Sequence, residues 1–133
     1  MKTAFLSVSY KHRSQLEAEF TAINTSLRKF DVQPIDFVTT YRFELGQERE
    51  MMALSCALIR AANLLIAEVT HKAIGVGVEV GFAAALGIPI IYARHAEAEY
   101  STTIGGVATY NIAYHHPAEL MTQLANLLEK LGI

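Results

Sequence analysis

The stretch AEVTHKAIGVGVEVG, residues 67–81, shows where the chain changes from strand to helix. The segment Asn63–Val69 lacks the alternation of a half-exposed strand, which predicts a strand covered on both faces. A helix is predicted over Val76–Leu86, with Gly87 ending it. A fully covered strand that leads through a glycine-rich turn into a helix is typical of a parallel α/β sheet.

Strand and helix patterns alternate along the rest of the chain as well. Helices are expected where apolar residues recur at three- and four-residue steps, and strands where short apolar runs lie between turn signals. The predicted order is β-α-β-α-β-α-β-β-α. The predicted strands are Ala4–Ser9, Asp31–Thr39, Asn63–Val69, Ile88–Ala93 and Thr109–Ala113. The predicted helices are one that carries Leu16, Phe20, Ile23 and Leu27, then Glu48–Ala62 and Val76–Leu86, and a last helix capped near His116-Pro117. This order predicts a single domain, residues 1–133, with a flavodoxin-like three-layer α/β/α sandwich and a mainly parallel five-stranded sheet of order 2-1-3-4-5.

The composition excludes several classes of protein. A chain of 133 residues with 52% hydrophobic and 18% charged residues buries a substantial core, which excludes a disordered protein. Its net charge of −2 argues against a nucleic-acid binder. The apolar run Ile74–Tyr92 approaches the length of a membrane span, but Glu79 and Pro89 interrupt it, so no membrane segment is expected. The single cysteine, Cys56, forms no internal disulfide, and a cytoplasmic location is expected.

Gly75, Gly77 and Glu79 are the candidate functional residues of the quoted stretch. Glycines at a helix start let a ligand approach the backbone and its free N–H groups. Their spacing matches neither the dinucleotide-binding fingerprint nor the P-loop. Glu79 is the only charged residue of an apolar helix, so it either faces solvent or lines a site. Alternatively, the glycines only permit tight strand–helix packing, and Glu79 benefits from the positive end of the helix.

The run Gly-Val-Gly-Val-Glu-Val-Gly at 75–81, preceded by Ala-Glu-Val-Thr and followed by Ala-Leu-Gly-Ile-Pro-Ile, resembles the nucleoside 2-deoxyribosyltransferase superfamily. The most similar branch is the 2′-deoxynucleoside 5′-phosphate N-hydrolases. The resemblance implies a flavodoxin-like fold and cleavage or transfer of the N-glycosidic bond of a (deoxy)nucleoside or its 5′-monophosphate. It implies that Glu79 attacks the anomeric carbon of the sugar, without a metal or cofactor.

The sequence departs from this superfamily at three positions. Where the superfamily has a tyrosine on the first strand, this chain has Phe5. Where it has an acidic residue on the helix before the motif, this chain has Ser55, and where it has a serine or aspartate before the glycine run, this chain has Ala73. Tyr10 is expected to supply the missing hydroxyl or to stack on a base, and Glu48, on the same helical face as Ser55, to supply a carboxyl. The departures leave an alternative function open, a catalytically weak or inactive nucleotide- or sugar-binding module of the same fold.

The resemblance also implies which residues bind the substrate. A 5′-phosphate is held in that branch by the loop after the first strand and by a late serine, since backbone amides and cations suit a phosphate. An ordinary solvated loop is the alternative for Lys11-His12-Arg13, and a bare nucleoside is left open beside a nucleotide. The expected substrate-binding residues are Ser7, Ser9, Lys11, Arg13, Ser55, His71, Gly75, Gly77 and Ser101.

Self-association is the remaining expectation. Apolar helix surface, including Ala83-Ala84-Ala85 and Met51-Met52, exceeds what a small sheet needs as cover, which predicts a homodimer or a higher homo-oligomer. The resemblance implies that a neighbouring chain completes the site. The other expected partner is a small-molecule nucleoside or nucleotide, with no nucleic acid and no membrane. Adjacent histidines point apart, so His115-His116 is expected to be a helix-entry loop and not a metal site.

Overall fold

Five parallel strands form the centre of the computed structural model, which describes residues 1–133. The strands are β1 (Lys2–Val8), β2 (Val32–Asp36), β3 (Leu64–Glu68), β4 (Ile90–His95) and β5 (Tyr110–Tyr114). They pair in the order β2-β1-β3-β4-β5, and every pairing is parallel. The predicted strand order and the flavodoxin-like α/β class are confirmed.

Helices cover both faces of this sheet, as a parallel sheet requires. After a 3-10 turn at Arg13–Leu16, the helices are α1 (Glu17–Lys29), α2 (Phe37–Thr40), α3 (Glu48–Ala61), α4 (Ile74–Ala85), α5 (Thr102–Gly105) and α6 (Pro117–Lys130). Side chains of α1 and α6 pack on one face of the sheet, and those of α3 and α4 pack on the other. The molecule is therefore a three-layer sandwich.

The side-chain alternation of β1 decides which residues reach the α3/α4 face. Successive residues of a strand point to opposite faces of the sheet. Ala4, Leu6 and Val8 join the core under α1 and α6, and Phe5 joins the core under α3 and α4. Ser7 has the same orientation as Phe5, which places a hydroxyl beneath α4 at the carboxyl end of β1, an interior strand of the sheet.

Most predicted boundaries are off by one or two residues, and two of the differences affect the elements around the site. The predicted strand Asp31–Thr39 ends at Asp36, because the chain turns into α2 and buries Phe37 against the core under α3 and α4. The predicted helix over Val76–Leu86 already begins at Ile74, so Glu79 lies in its second turn and not in its first. The interaction of Glu79 with the positive end of the helix is correspondingly weaker, since that effect is confined to the first turn.

The entry to α6 follows the prediction. The His116 side chain accepts a hydrogen bond from the Glu119 backbone N–H at 3.3 Å, and Pro117 occupies the first turn of the helix. His115 donates its backbone N–H to the Glu119 carboxylate at 2.8 Å. No helix is both long enough and apolar enough to cross a membrane. Cys56 is a free, half-buried thiol, and the cytoplasmic location stays a prediction.

The packing of α6 gives a stability prediction. Leu124 is fully buried between α6 and the sheet, whereas Leu127 is only partly buried on the same helix. We expect Leu124→Ala to reduce the free energy of unfolding by about 3 kcal/mol, and Leu127→Ala, the matched control, by clearly less. Urea unfolding followed by circular dichroism measures both, and equal losses would contradict the described orientation of α6.

Candidate active site

The Glu79 carboxylate lies between two buried serine hydroxyls. Ser7 Oγ donates a hydrogen bond to Glu79 Oε1 at 2.6 Å, and Ser55 Oγ donates one to Oε2 at 3.1 Å. Ser7 is 1% exposed and Ser55 is 0% exposed. Both carboxylate oxygens are therefore fixed by hydroxyl donors, and the orientation of Glu79 is defined.

Three elements bring these groups together. Ser7 lies at the carboxyl end of β1, opposite Ala67 of β3 in the sheet register. Ser55 lies in the middle of α3, and Glu79 lies on α4, which packs beside α3 and over β1. In a doubly wound sheet this edge, at the carboxyl ends of the strands, is where ligands bind.

The surroundings of Glu79 shift the pKa of its carboxyl. Burial raises the pKa of the Glu79 carboxyl above the ordinary value of a glutamate, and the hydrogen bonds from Ser7 and Ser55 partly offset that rise. None of the ion pairs in the structure involves Glu79. An ionised Glu79 thus carries a negative charge that no side-chain cation neutralises, which suits the stabilisation of a positive charge on a ligand.

The glycines of α4 border open space. A Cβ atom added at Gly75, Gly77 or Gly81 would meet no heavy atom within 4 Å. Packing inside one chain therefore does not require glycine at these positions, contrary to the packing alternative. Gly75 and Gly77 lie in the first turn of the helix and are exposed.

Two histidines from neighbouring loops stack at this edge of the sheet. The His12 and His71 rings are parallel within 2°, with centroids 3.9 Å apart. Ser9, itself buried, lies with its Oγ 2.9 Å from His12 Nδ1. Partial burial, and then the positive charges of His71 and Lys11, lower the pKa of His12. The stack joins the loop after β1 to the loop after β3, and no residue spacing along the chain signalled it.

The other predicted residues of the first loop differ in their environment. Arg13 is buried, and its guanidinium donates to Asp36 at 2.6 Å and to Glu17 at 2.8 Å. Its side chain also packs over the Phe20 ring, so it is committed to holding α1 against β2. Lys11 is exposed, and Tyr10 is 78% exposed with no hydrogen bond to Glu79.

Two further predicted residues serve local structure. Glu48 is exposed at the start of α3 and accepts a hydrogen bond from the Gly46 N–H at 3.0 Å. That bond lowers the pKa of Glu48, which keeps it ionised and does not favour a role as proton donor. Ser101 caps α5 by accepting from the Ile104 N–H, and it donates its own N–H to the Tyr92 hydroxyl at 2.8 Å.

An aromatic group missed by the sequence reading lies beside α3. The Phe37 ring has the Tyr41 ring at 5.3 Å and the Phe43 ring at 6.0 Å, measured between centroids. Phe43 also lines an open cavity of about 230 Å³, in part with Met51, which lies one turn before Ser55 on the same helical face. No spacing in the sequence indicated that Phe37, Tyr41 and Phe43 would be in contact, because the turn into α2 brings their rings together.

Phe5 and Ala73, two of the departures, lie close to these elements. Phe5 is fully buried and packs against Phe37, with ring centroids 5.7 Å apart. Ala73 is the residue before the first turn of α4 and provides no side-chain cap. Ser55, the third departure, is the one that contacts Glu79 directly.

The raised pKa of Glu79 predicts a pH-dependent cost in stability. A carboxyl whose pKa is higher in the folded state destabilises the fold once it ionises, so the cost appears as pH rises through that pKa. We expect Glu79→Gln to increase the free energy of unfolding at pH 7 by about 1 kcal/mol, with the gain shrinking toward acidic pH. The control is Glu129→Gln on the exposed face of α6. Urea unfolding at several pH values measures the effect, and an unchanged or lower stability at pH 7 would contradict it.

Comparisons with known proteins agree with this fold. No protein-family model matches the chain. A protein of Syntrophotalea carbinolica named "Putative 2'-deoxynucleoside 5'-phosphate N-hydrolase 1" is 38% identical over 73 residues, which are 53% of this chain and 51% of that protein. The matched region thus spans about half the length of this curated relative.

Solved structures extend the likeness over nearly the whole chain. A CMP N-glycosidase of Clostridium botulinum superposes with a TM-score of 0.72 at 19% identity, covering 96% of this chain and 100% of that one. A 2-deoxyribosyltransferase of Bacillus psychrosaccharolyticus has a TM-score of 0.72 at 14% identity, covering 93% and 90%. A conserved protein of Enterococcus faecalis has a TM-score of 0.75 at 12% identity, covering 98% and 99%. The sequence relative confirms the resemblance to the nucleoside 2-deoxyribosyltransferase superfamily, and the solved structures show that the fold is the same.

Proposed function

We propose that the protein is an enzyme that cleaves or transfers the N-glycosidic bond of a (deoxy)nucleoside or its 5′-monophosphate. The observation that carries the proposal is the Glu79 carboxylate, held by two buried hydroxyls and left without a cation. The named activities of the sequence relative and of two structural neighbours, all directed at bonds of this kind, support the same reaction class.

The chemistry follows from the charge of Glu79. Breaking the bond between C1′ and the base nitrogen moves the electron pair to the base and develops positive charge on the sugar. A carboxylate oxygen then bonds to C1′ and forms a glycosyl-enzyme. Water or a second base displaces the carboxylate, which restores Glu79. The reaction requires ionised Glu79, so activity is expected to fall on the acidic side, with a midpoint above the ordinary pKa of a glutamate.

Two groups of side chains are proposed to bind the rest of the substrate. The Phe43 ring, which lines a cavity with Met51, and the Tyr41 ring, which packs on the same Phe37, offer apolar ring faces on which a base can stack. Lys11 and the His12–His71 pair offer cationic and hydrogen-bonding groups to a 5′-phosphate. The lowered pKa of His12 makes this second contribution stronger at mildly acidic pH.

Base release tests the reaction directly. We expect chromatography of a panel of ribo- and deoxynucleosides and their 5′-monophosphates to show release of the free base by the wild-type protein. Glu79→Ala should lower the rate by about a thousandfold or more, because it removes the nucleophile. Glu129→Gln, an exposed carboxyl on α6, is the control and should keep the wild-type rate. Wild-type turnover by Glu79→Ala would refute the proposed mechanism.

A binding module without catalysis is the second candidate function. It is favoured by one observation: the only side chains bonded to Glu79 are hydroxyls, and no second carboxyl contacts it to protonate a leaving base. Saturable nucleotide binding by calorimetry, with no base released over long incubation by any member of the panel, would establish this alternative.

Self-association is proposed to occur through α4. This helix is apolar except for Glu79, yet Ile74 is 88% exposed and Val78 is 48% exposed. The open glycines Gly77 and Gly81 share its outer surface, and small residues allow two backbones to approach closely. A second copy of the chain that covers this surface would also close the approach to Glu79.

An acidic substitution on α4 tests the proposed dimer. We expect the wild-type protein to sediment as a dimer or larger species at micromolar concentration, and Val78→Asp to sediment as a monomer, because a charge at the interface is buried without a partner. Asn126→Asp, at an exposed position of α6, adds the same charge away from α4 and should leave the assembly unchanged. A monomeric wild-type protein would contradict the proposal.

A further inference from the structure

The two hydrogen bonds to Glu79 differ in length and in the element that carries the donor, a strand for Ser7 and a helix for Ser55. The bond from Ser7 to Oε1 measures 2.6 Å, and the bond from Ser55 to Oε2 measures 3.1 Å. A short O–H···O⁻ contact is typical of a strong charge-assisted bond, whereas 3.1 Å lies beyond the usual range for such a pair. The carboxylate is therefore bound asymmetrically.

Ser7 lies on a strand that is hydrogen-bonded on both sides. Its strand β1 has a paired neighbour on each side, β2 and β3, and Ser7 pairs with Ala67 in the register. Ser55 belongs to α3, whose outer surface is exposed and whose preceding turn at Met51 borders the open cavity. The Oε1 side of the carboxylate is thus anchored to the sheet, and the Oε2 side is held only by a surface helix.

We propose that Ser7 and Ser55 are positioning residues with different roles: Ser7 holds Oε1 throughout the reaction, and Ser55 releases Oε2, which is the oxygen that bonds to C1′. This inference rests on the proposed function and adds to it which oxygen reacts and what orients it. The resemblance assigned neither serine to the nucleophile, and Ser55 stands where the superfamily has an acidic residue.

The step balances as a displacement at C1′. The Oε2–C1′ bond forms as the C1′–N bond breaks, and the leaving base carries away the electron pair and takes a proton from solvent. Water then attacks C1′, the Oε2–C1′ bond breaks with its electron pair returning to Glu79, and the proton of the attacking water passes to solvent. Oε1 keeps its bond to the Ser7 hydroxyl in both halves, so the carboxylate does not rotate between them.

The two hydroxyls also favour the ionised carboxylate. Burial raises the pKa of Glu79, and each serine bond acts against that rise, the Ser7 bond more than the Ser55 bond. Removing either hydroxyl is therefore expected to raise the pKa of Glu79 further. Once Glu79 is fully ionised, the loss of the Ser7 bond is expected to reduce kcat more than the loss of the Ser55 bond, because the Ser55 bond is given up when Oε2 reacts with C1′.

The experiment compares Ser7→Ala, Ser55→Ala and a matched control, Ser26→Ala. Ser26 is fully buried like the other two, but its hydroxyl donates to the Met121 carbonyl at 3.0 Å, away from Glu79. Nuclear magnetic resonance of the ¹³C-labelled Glu79 carboxyl follows its titration in each protein. The pH profiles of kcat and KM are measured on the best substrate of the panel.

We expect both Ser7→Ala and Ser55→Ala to move the Glu79 titration and the acidic limb of kcat to higher pH, with no movement in Ser26→Ala. On the high-pH plateau, Ser7→Ala should lower kcat by about tenfold with KM within about twofold, because a bond made in the transition state is lost. Ser55→Ala should lower kcat on that plateau clearly less than Ser7→Ala does, because its bond to Oε2 is not kept in the transition state.

Three outcomes would overturn the inference: a plateau kcat lowered as much by Ser55→Ala as by Ser7→Ala, a Glu79 titration unmoved in both variants, or a shift of equal size in Ser26→Ala. Ser7→Cys keeps most of the side-chain volume but donates weakly, so it replaces Ser7→Ala if the alanine variant does not fold. The titration needs no turnover. If the Glu79 titration shifts in the serine variants but no base is released, the proposed function is refuted, and the kinetic roles of the serines with it. If base is released but the Glu79 titration does not shift in either serine variant, only the serine inference is refuted.

Discussion

The hydrogen bond from Ser7 to Glu79 joins β1, an interior strand of the sheet, to α4, an apolar helix whose only charged residue is Glu79. A buried carboxylate is costly unless donors satisfy it, and here the donors come from β1 and α3. The orientation of Glu79 depends on these donors, whereas α4 itself is held over the sheet by the buried apolar residues Val76, Val80 and Ala83.

The loops at the carboxyl edge are fixed by a second set of polar contacts. Arg13 binds Asp36 and so ties the loop after β1 to the end of β2. The His12–His71 stack ties the same loop to the one after β3. This edge is therefore organised before any ligand binds, which reduces the conformational entropy that binding has to overcome.

Glu68 is a buried carboxylate on the face of the sheet opposite to Glu79. Glu68 ends β3 and points to the α1/α6 face, where the Tyr114 hydroxyl and the Thr70 backbone and hydroxyl donate to it. Ser7 and Glu68 are both polar residues at strand ends, yet they lie on opposite faces, because side chains alternate along each strand. Only Ser7 reaches Glu79.

The sequence alone determined the strand order and the helix layers, because these follow from hydrophobic periodicity and from the alternation of strands and helices. One local motif made Glu79 the candidate nucleophile, and that role stays a prediction. The sequence did not determine what holds Glu79: Ser7 is 72 residues away and Ser55 is 24, and no local pattern reports a contact between distant segments. The same limit explains Arg13, whose local context suggested an anion-binding loop while the tertiary structure pairs it with Asp36. Periodicity decides which face of an element is buried, and only packing decides which polar groups on those faces meet.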